Sequence, residues 1–387
     1  MSLTVLVNAG PWLPVPPVGY GGIKTVVATL VPELRALGVR VVLATVGPST
    51  LAADDHVRPL AEPRFDRVAA PYNQVSGIAH AHMHGVVAYL RAHPEVDLVH
   101  DHLEVVGPAV LGAMGDAAPP TLQTLHWDLT KHADFYSTFE GRGRVGFAAV
   151  SQSQLDRAPA RLQAQTLGVV PLAVPAPAPV PYEGVVRGEH VLVLARITRD
   201  KGQDIAARVC RRAGVPLVLA GPVAGIGDPA ELQRRLHDGD AALASHPDVA
   251  YFVEEVAPHL DGELVRWVGG VAGAEKERLL GSARALLATI RWAEPGATGV
   301  VEALGRGVPV VGTPLGVLPS LVEHGVTGLL GDTEDELVAL LGELDRIDPD
   351  VCRAAVASWT PRAMAQSYLT LYERLLAAQP PVNQGDR

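Results

Sequence analysis

Glu294-Pro295-Gly296-Ala297-Thr298-Gly299-Val300-Val301-Glu302-Ala303-Leu304-Gly305-Arg306-Gly307-Val308-Pro309-Val310-Val311 decides how this chain folds. The apolar run Ala285 to Ile290 ahead of it is short and bounded by charge, which predicts a buried strand. Pro295-Gly296 is a turn signal, and Val300, Val301 and Leu304 then repeat at helical spacing. Arg306-Gly307 ends that helix, and Val308 to Val311 predicts a second buried strand. The unit is strand, helix, parallel strand. Open sheets of this kind bind ligands at the carboxyl ends of their strands. Glu294 falls at that edge, and the backbone amides at the helix start, Gly296, Ala297, Thr298 and Gly299, would favour an anion there.

The same alternation extends in both directions. Upstream, strands are predicted at Leu3 to Asn8, Val39 to Val46, Val96 to His100, Thr121 to His126, Gly146 to Val150 and Val169 to Val174. Helices are predicted at Ile23 to Leu37, with Pro32 inside it, Tyr72 to His93 and Val105 to Met114. Pro171 to Pro181 carries five prolines and reads as an extended linker. The pattern then restarts with a strand at His190 to Ala195, a helix at Gly202 to Ala213 and a strand at Val215 to Ala220. A final helix, Pro361 to Ala378, carries Met364, Tyr368, Leu371 and Leu375 as an apolar stripe. Two doubly wound α/β domains follow from this order, at 1–180 and 181–360, then the helix 361–378 and a tail 379–387.

Composition bounds the function. A length of 387 residues exceeds a single hydrophobic core, and 48% hydrophobic with 19% charged residues is a globular balance. A net charge of −10 argues against a nucleic-acid surface, which needs a basic footprint. Cys210 and Cys352 match no metal spacing, consistent with a reduced, cytoplasmic protein. The first residues lack a basic stretch ahead of an apolar one and read as a strand, not a signal peptide. No apolar run reaches the roughly 20 residues of a membrane span.

Charged groups cluster at the predicted strand ends. Arg196 and Lys201 flank a helix start just after the strand His190 to Ala195, where a guanidinium and an ammonium could neutralise a diphosphate without a metal. Gly19-Tyr20-Gly21-Gly22 separates a strand from a helix, and its glycines permit close backbone approach to a phosphate. His126, and one strand over His100 and His102, stand at the same edge. His80 and His84 are one helical turn apart, but no carboxylate follows at ligand spacing, so no metal site is expected.

These motifs resemble those of the retaining, GT-B-fold glycosyltransferases of family GT4. The likeness rests on the Glu294/Glu302 pair, on Arg196 to Gly202, on Gly312 to Gly316 and Glu323 to Leu330, and on the loop Pro11 to Gly22. It implies two Rossmann-like domains facing a cleft, with the C-terminal helix crossing back to the N-terminal domain. It also implies hexose transfer from a nucleotide-diphosphate sugar, UDP favoured and GDP possible, with retention and with no cofactor or metal. By the resemblance His126 contacts the transferred sugar and Arg196 and Lys201 hold the diphosphate. Glu294 would then hold sugar hydroxyls and Glu302 the ribose, with Gly21 and Gly22 near the donor phosphate. Tyr20, Lys24, His100 and His102 fall on the acceptor side. Lys24 stands where the family commonly has Glu, Pro295-Gly296-Ala297 where it often has Pro-Phe-Gly, and Ala195 where it has Gly. The acceptor is a lipid, a glycan or a small molecule. Alternative readings are an epimerase of the same fold, a non-catalytic nucleotide-sugar-binding protein, and an NAD-dependent oxidoreductase; the last is disfavoured because no Gly-x-Gly-x-x-Gly follows either opening strand.

Overall fold

The computed structural model describes residues 3–17, 19, 21–68, 70–175 and 188–379. The chain divides into two units, the second running from Val174 to Thr360. The first takes residues up to Pro17, then Gly21–Ala173, together with the C-terminal segment from Pro361.

Seven parallel strands build the first unit: β1 Thr4–Asn8, β2 Arg40–Ala44, β3 Asp55–Val57, β4 Leu98–Asp101, β5 Thr121–Thr124, β6 Val145–Ala149 and β7 Thr166–Val169. Their order is β3-β2-β1-β4-β5-β6-β7. Strand alternation splits the core in two. Val5 and Val7 pack on one face with Leu30 and Leu34, and Leu6 packs on the other with Met83 and Val86. The final helix, Pro361–Ala377, completes the first of these faces by burying Met364, Tyr368, Leu371, Tyr372 and Leu375. Its sequence stripe is thus accounted for by this unit.

Six parallel strands build the second unit: β8 Val191–Leu194, β9 Leu217–Ala220, β10 Val265–Gly269, β11 Ala285–Ala288, β12 Val310–Gly312 and β13 Gly328–Leu330. The order β10-β9-β8-β11-β12-β13 repeats that of the first six strands of unit one. Strand order therefore reverses between β1 and β4 in one unit and between β8 and β11 in the other. Ligands bind at such switch points.

Several boundaries depart from the sequence reading. The strand expected at Val308 begins at Val310, because the Val308 amide closes the preceding helix onto the Ala303 carbonyl at 2.9 Å and Pro309 has no N–H. The strand expected at Val169 to Val174 lies earlier, at Thr166–Val169; Pro171 cannot donate to a ladder. β3 was not foreseen, being only three residues with a charged start. The linker residues 176–187 and the tail 380–387 lie outside the described residues.

Candidate active site

In the second unit, the switch point collects the charged residues. Gln203 clamps the turn after β8, donating to the Arg196 carbonyl at 2.7 Å. A single helical turn, Arg199–Lys201, ends at Gly202, whose φ of +67° is left-handed. A β-carbon on Gly202 would stand 1.9 Å from the Thr289 carbonyl oxygen, so only glycine lets this turn seat against the end of β11. Thr289 bonds back to the Gly202 carbonyl at 2.7 Å. Lys201 is delivered in this way to the loop that carries Glu294.

Lys201 Nζ bonds Glu294 Oε2, and both side chains are partly buried. The indole N–H of Trp292 donates to the same oxygen at 2.8 Å, and Lys201 Nζ lies 5.2 Å from the centroid of that ring. Lysine, tryptophan and carboxylate therefore hold one another. Gly316 locks the Glu294 backbone from the far side: its φ is +60°, and a β-carbon there would fall 2.3 Å from the Glu294 nitrogen. Val317 N–H donates to the Glu294 carbonyl at 2.9 Å. The departure at Pro295-Gly296-Ala297 is visible in the backbone, where Ala297 caps the helix Thr298–Gly305 with φ +42°. A non-glycine residue in that region is strained, and such strain gathers at functional sites.

One turn into this helix, buried Glu302 accepts a 2.8 Å bond from Lys276. Behind it the Arg306 guanidinium grips Glu277 through two nitrogens, with both groups buried, and donates to the Glu302 carbonyl at 2.7 Å. Nearby Asp204 is buried, which raises its pKa, but bonds from Arg291, Tyr251 and Arg208 outweigh burial and hold it well below the usual range.

The switch point of the first unit is built differently. Asn8, at the end of β1, donates to Asp101, at the end of β4, at 2.7 Å and bonds His82 Nε2 at 2.7 Å through its carbonyl oxygen. Gln123 donates to the other Asp101 oxygen at 2.9 Å. Burial pushes the Asp101 carboxyl up to about 7 and the Lys24 ammonium down to about 7. Lys24 is buried with Nζ bonded to the Ala9 carbonyl. It is a core group, and the acceptor-side expectation for it is corrected.

His100 also turns inward. The Thr124 hydroxyl gives its proton to the Tyr368 oxygen at 3.0 Å, so it accepts from His100 Nε2 at 2.8 Å. His100 Nδ1 then accepts from the Tyr372 hydroxyl at 2.6 Å. Both nitrogens are used, and the side chain is fully buried under the C-terminal helix, which removes His100 from the acceptor side. His102 and His126 meet at 2.8 Å, Nδ1 to Nε2, with His126 half-buried. Burial depresses His82, His100 and His126 to about 3 and holds His102 well below the usual imidazole range, so all four are neutral near pH 7.

The remaining expectations divide. Gly22 opens the helix Gly22–Ala36, and Gly21 is needed where it stands because a β-carbon would lie 2.4 Å from the Pro17 side chain. Tyr20 lies outside the described residues. His80 Nδ1 bonds the Ser76 carbonyl at 2.7 Å, while His82, between His80 and His84 in the helix, faces inward. The sequence reading missed Trp292, Lys276 and the Asp204–Arg291 pair, and had Gly316 only as the end of the run Gly312 to Gly316. An indole two residues before Glu294 was a usable signal. Lys276 gave none, standing in an ordinary charged helix.

With this geometry in view, the comparisons with known proteins are informative. A family model described as "Glycosyl transferases group 1" matches residues 186–346, and one described as "Glycosyltransferase Family 4" matches residues 20–168. The chain is a GT4-type glycosyltransferase. Its two α/β units are those of the GT-B fold. Among solved structures, AviGT4, a glycosyltransferase involved in avilamycin A biosynthesis, is 29% identical, with a TM-score of 0.62 over 97% of this chain and 99% of that one. Sucrose-phosphate synthase from Thermosynechococcus elongatus is 18% identical, with a TM-score of 0.68 over 98% and 100% of the two chains. Anabaena HepE in complex with UDP and glucose is 18% identical, with a TM-score of 0.65 over 96% and 100%. No match was found among curated proteins. Among the described residues, no helix is long and apolar enough to cross a membrane.

Proposed function

We propose that this glycosyltransferase moves a hexose from a UDP-sugar to an acceptor hydroxyl with retention at the anomeric carbon and without a metal ion. The observation that carries the reading is the Lys201–Glu294 pair, held by Trp292 at the switch point of the second unit. With donor bound, Lys201 and Arg196 stabilise the charge that develops on the leaving diphosphate. Two side-chain cations there supply what a divalent ion supplies elsewhere. Glu294 holds sugar hydroxyls beside the anomeric carbon, and Glu302, anchored by Lys276, takes the ribose hydroxyls.

In the reaction the bond from the anomeric carbon to the phosphate oxygen breaks, and the acceptor oxygen bonds to that carbon from the same face. The departing phosphate oxygen takes the acceptor's proton, so neither carboxylate serves as the acid and base pair of a glycosidase. UDP is favoured over GDP because the same fold holds UDP and UDP-glucose in HepE. Thermal-shift measurements with UDP, GDP, ADP, dTDP and their sugars, repeated with EDTA, test this. Stabilisation by UDP that survives EDTA is expected. Stabilisation only with added metal, or only by another base, overturns the corresponding part.

A further inference from the structure

The contact between His102 and His126 contains more information than its length. Its two atoms, His102 Nδ1 and His126 Nε2, are 2.8 Å apart, so one carries the proton and the other accepts it. Burial keeps both rings neutral, so each ring has one N–H and one lone pair. Two arrangements satisfy the bond. In one, His126 donates from Nε2, which forces the proton of His102 onto its own Nε2. In the other, His102 donates from Nδ1, which forces the proton of His126 onto Nδ1.

The far side of His102 separates the two. His102 Nε2 is buried and meets no hydrogen-bond partner among the described residues. The first arrangement would leave an unpaired N–H donor there; the second leaves only a lone pair. Orphaned buried donors are rarer in folded proteins than under-used acceptors. The ring is confined on one side by His100, whose tilted ring lies 4.2 Å away between centroids, and is held edge to edge by the His126 bond itself. His100 is itself pinned by Thr124 and Tyr372.

We propose that His102 fixes His126 in the tautomer with its proton on Nδ1, so that His126 presents a ligand with an N–H donor and no lone pair. His126 Nδ1 has no protein partner among the described residues, and the side chain is half-buried, so this donor is available. Resting on the glycosyl-transfer reading above, the ligand atom it takes is an oxygen of the donor sugar or its phosphate. His126 cannot then be the base that deprotonates the acceptor. His102 is a positioning residue.

Histidine-labelled full-length protein, examined by 15N–13C NMR, reports the tautomer directly, with His126→Gln identifying the resonance. The expected spectrum shows the His126 proton on Nδ1; a proton on Nε2 overturns the proposal. His102→Asn, whose amide N–H replaces the Nδ1 donor, is expected to keep the tautomer. His102→Phe is expected to release it to Nε2 and to lower kcat/KM about 10- to 100-fold, by analogy with the outer-shell partners that orient metal-bound histidines. A His102→Phe protein in which His126 keeps its Nδ1 proton overturns the role of His102. If His102→Phe does not fold, the wild-type spectrum still decides. If the tautomer is as expected but His126→Gln binds UDP-glucose unchanged, the tautomer assignment stands and the assigned role in the transferase site is what fails.

Discussion

The two units share a strand order and a switch point, yet they handle polarity in opposite ways. At the β1/β4 junction the first unit buries Asn8, Lys24, His82, His100, Asp101 and His102 and holds the histidines neutral. At the β8/β11 junction the second unit keeps full charges in partly open pairs, Lys201 with Glu294 and Lys276 with Glu302. A neutral network fixes geometry and tautomers. Paired charges can exchange partners when a charged ligand arrives. The fold alone dictates neither.

Breaking the buried end of each system gives the largest effects. Arg306→Ala strands Glu277 inside the second unit without its two-pronged partner, and loss of one member of a buried pair costs about 3–5 kcal/mol. Urea unfolding is the measurement, and a loss below about 1 kcal/mol would mean the pair is solvated in solution. Lys201→Ala sharpens the contrast because it removes charge where charge is used. Turnover with UDP-glucose is expected to fall on the order of 100- to 1,000-fold, as when one transition-state donor is removed, with folding intact by circular dichroism. An unchanged kcat would remove Lys201 from the mechanism. In the first unit, Asn8→Ala leaves Asp101, His82 and the Gly10 amide each short of a bond. A loss of about 2–3 kcal/mol is expected from unsatisfied buried groups.

Acid should separate the units. His82, His100, His102 and His126 have folded pKa values below their unfolded 6.5. Their contribution is present above pH 6.5 and drains away as pH falls towards 3. Lys24 works in the same sense but at higher pH, its contribution draining between 10.5 and about 7, so it adds little below pH 7. Asp101 opposes them, since a carboxyl raised to about 7 gains as pH falls from 7 to 3.8. Four histidines outweigh one carboxyl. In the second unit Asp204 is depressed, so its contribution persists until pH drops below about 4. Hydrogen exchange at pH 5 against pH 7, corrected for intrinsic rate, should show β1, β4 and β5 losing more protection than β8 and β11, where His190 alone among the histidines is depressed in the same direction. Equal losses in both units would refute the contrast.

Much of this was legible in the sequence, for reasons that also explain what was not. Strand runs such as His190 to Ala195 and a helix stop such as Arg306-Gly307 are local signals, and they set the α/β order in both halves. Glu294, Lys201 and Glu302 drew attention because their runs resemble family motifs next to predicted strand ends. Their partners did not, because pairing of Lys201 with Glu294 across 93 positions, or of Lys276 with Glu302, depends on strand order. Lys24 and His100 were misplaced for a related reason. Sequence position put them at the functional edge, but the inward rotation of each side chain comes from Ala9, Tyr372 and Thr124, contacts that exist only after folding.

The smallest expected effect tests whether charge in the second unit matters wherever it occurs. Arg346 pairs with Glu343 at 3.0 Å, but the arginine side chain is 78% exposed and the glutamate 43%. Water screens such a pair and both side chains lose rotamer freedom in making it, so an exposed ion pair contributes about 0–1 kcal/mol. Arg346→Ala should therefore shift the urea midpoint barely beyond error, and raising the salt concentration should erase what shift there is. Arg306, forty residues earlier, has the same guanidinium and a carboxylate partner of the same type, with both groups buried. If the two substitutions cost the same, burial is not what separates structural from idle charge in this unit. If they differ as expected, the ion pairs that matter are the enclosed ones, and Lys201–Glu294 stands between the extremes, enclosed enough to be positioned and open enough to yield to a diphosphate.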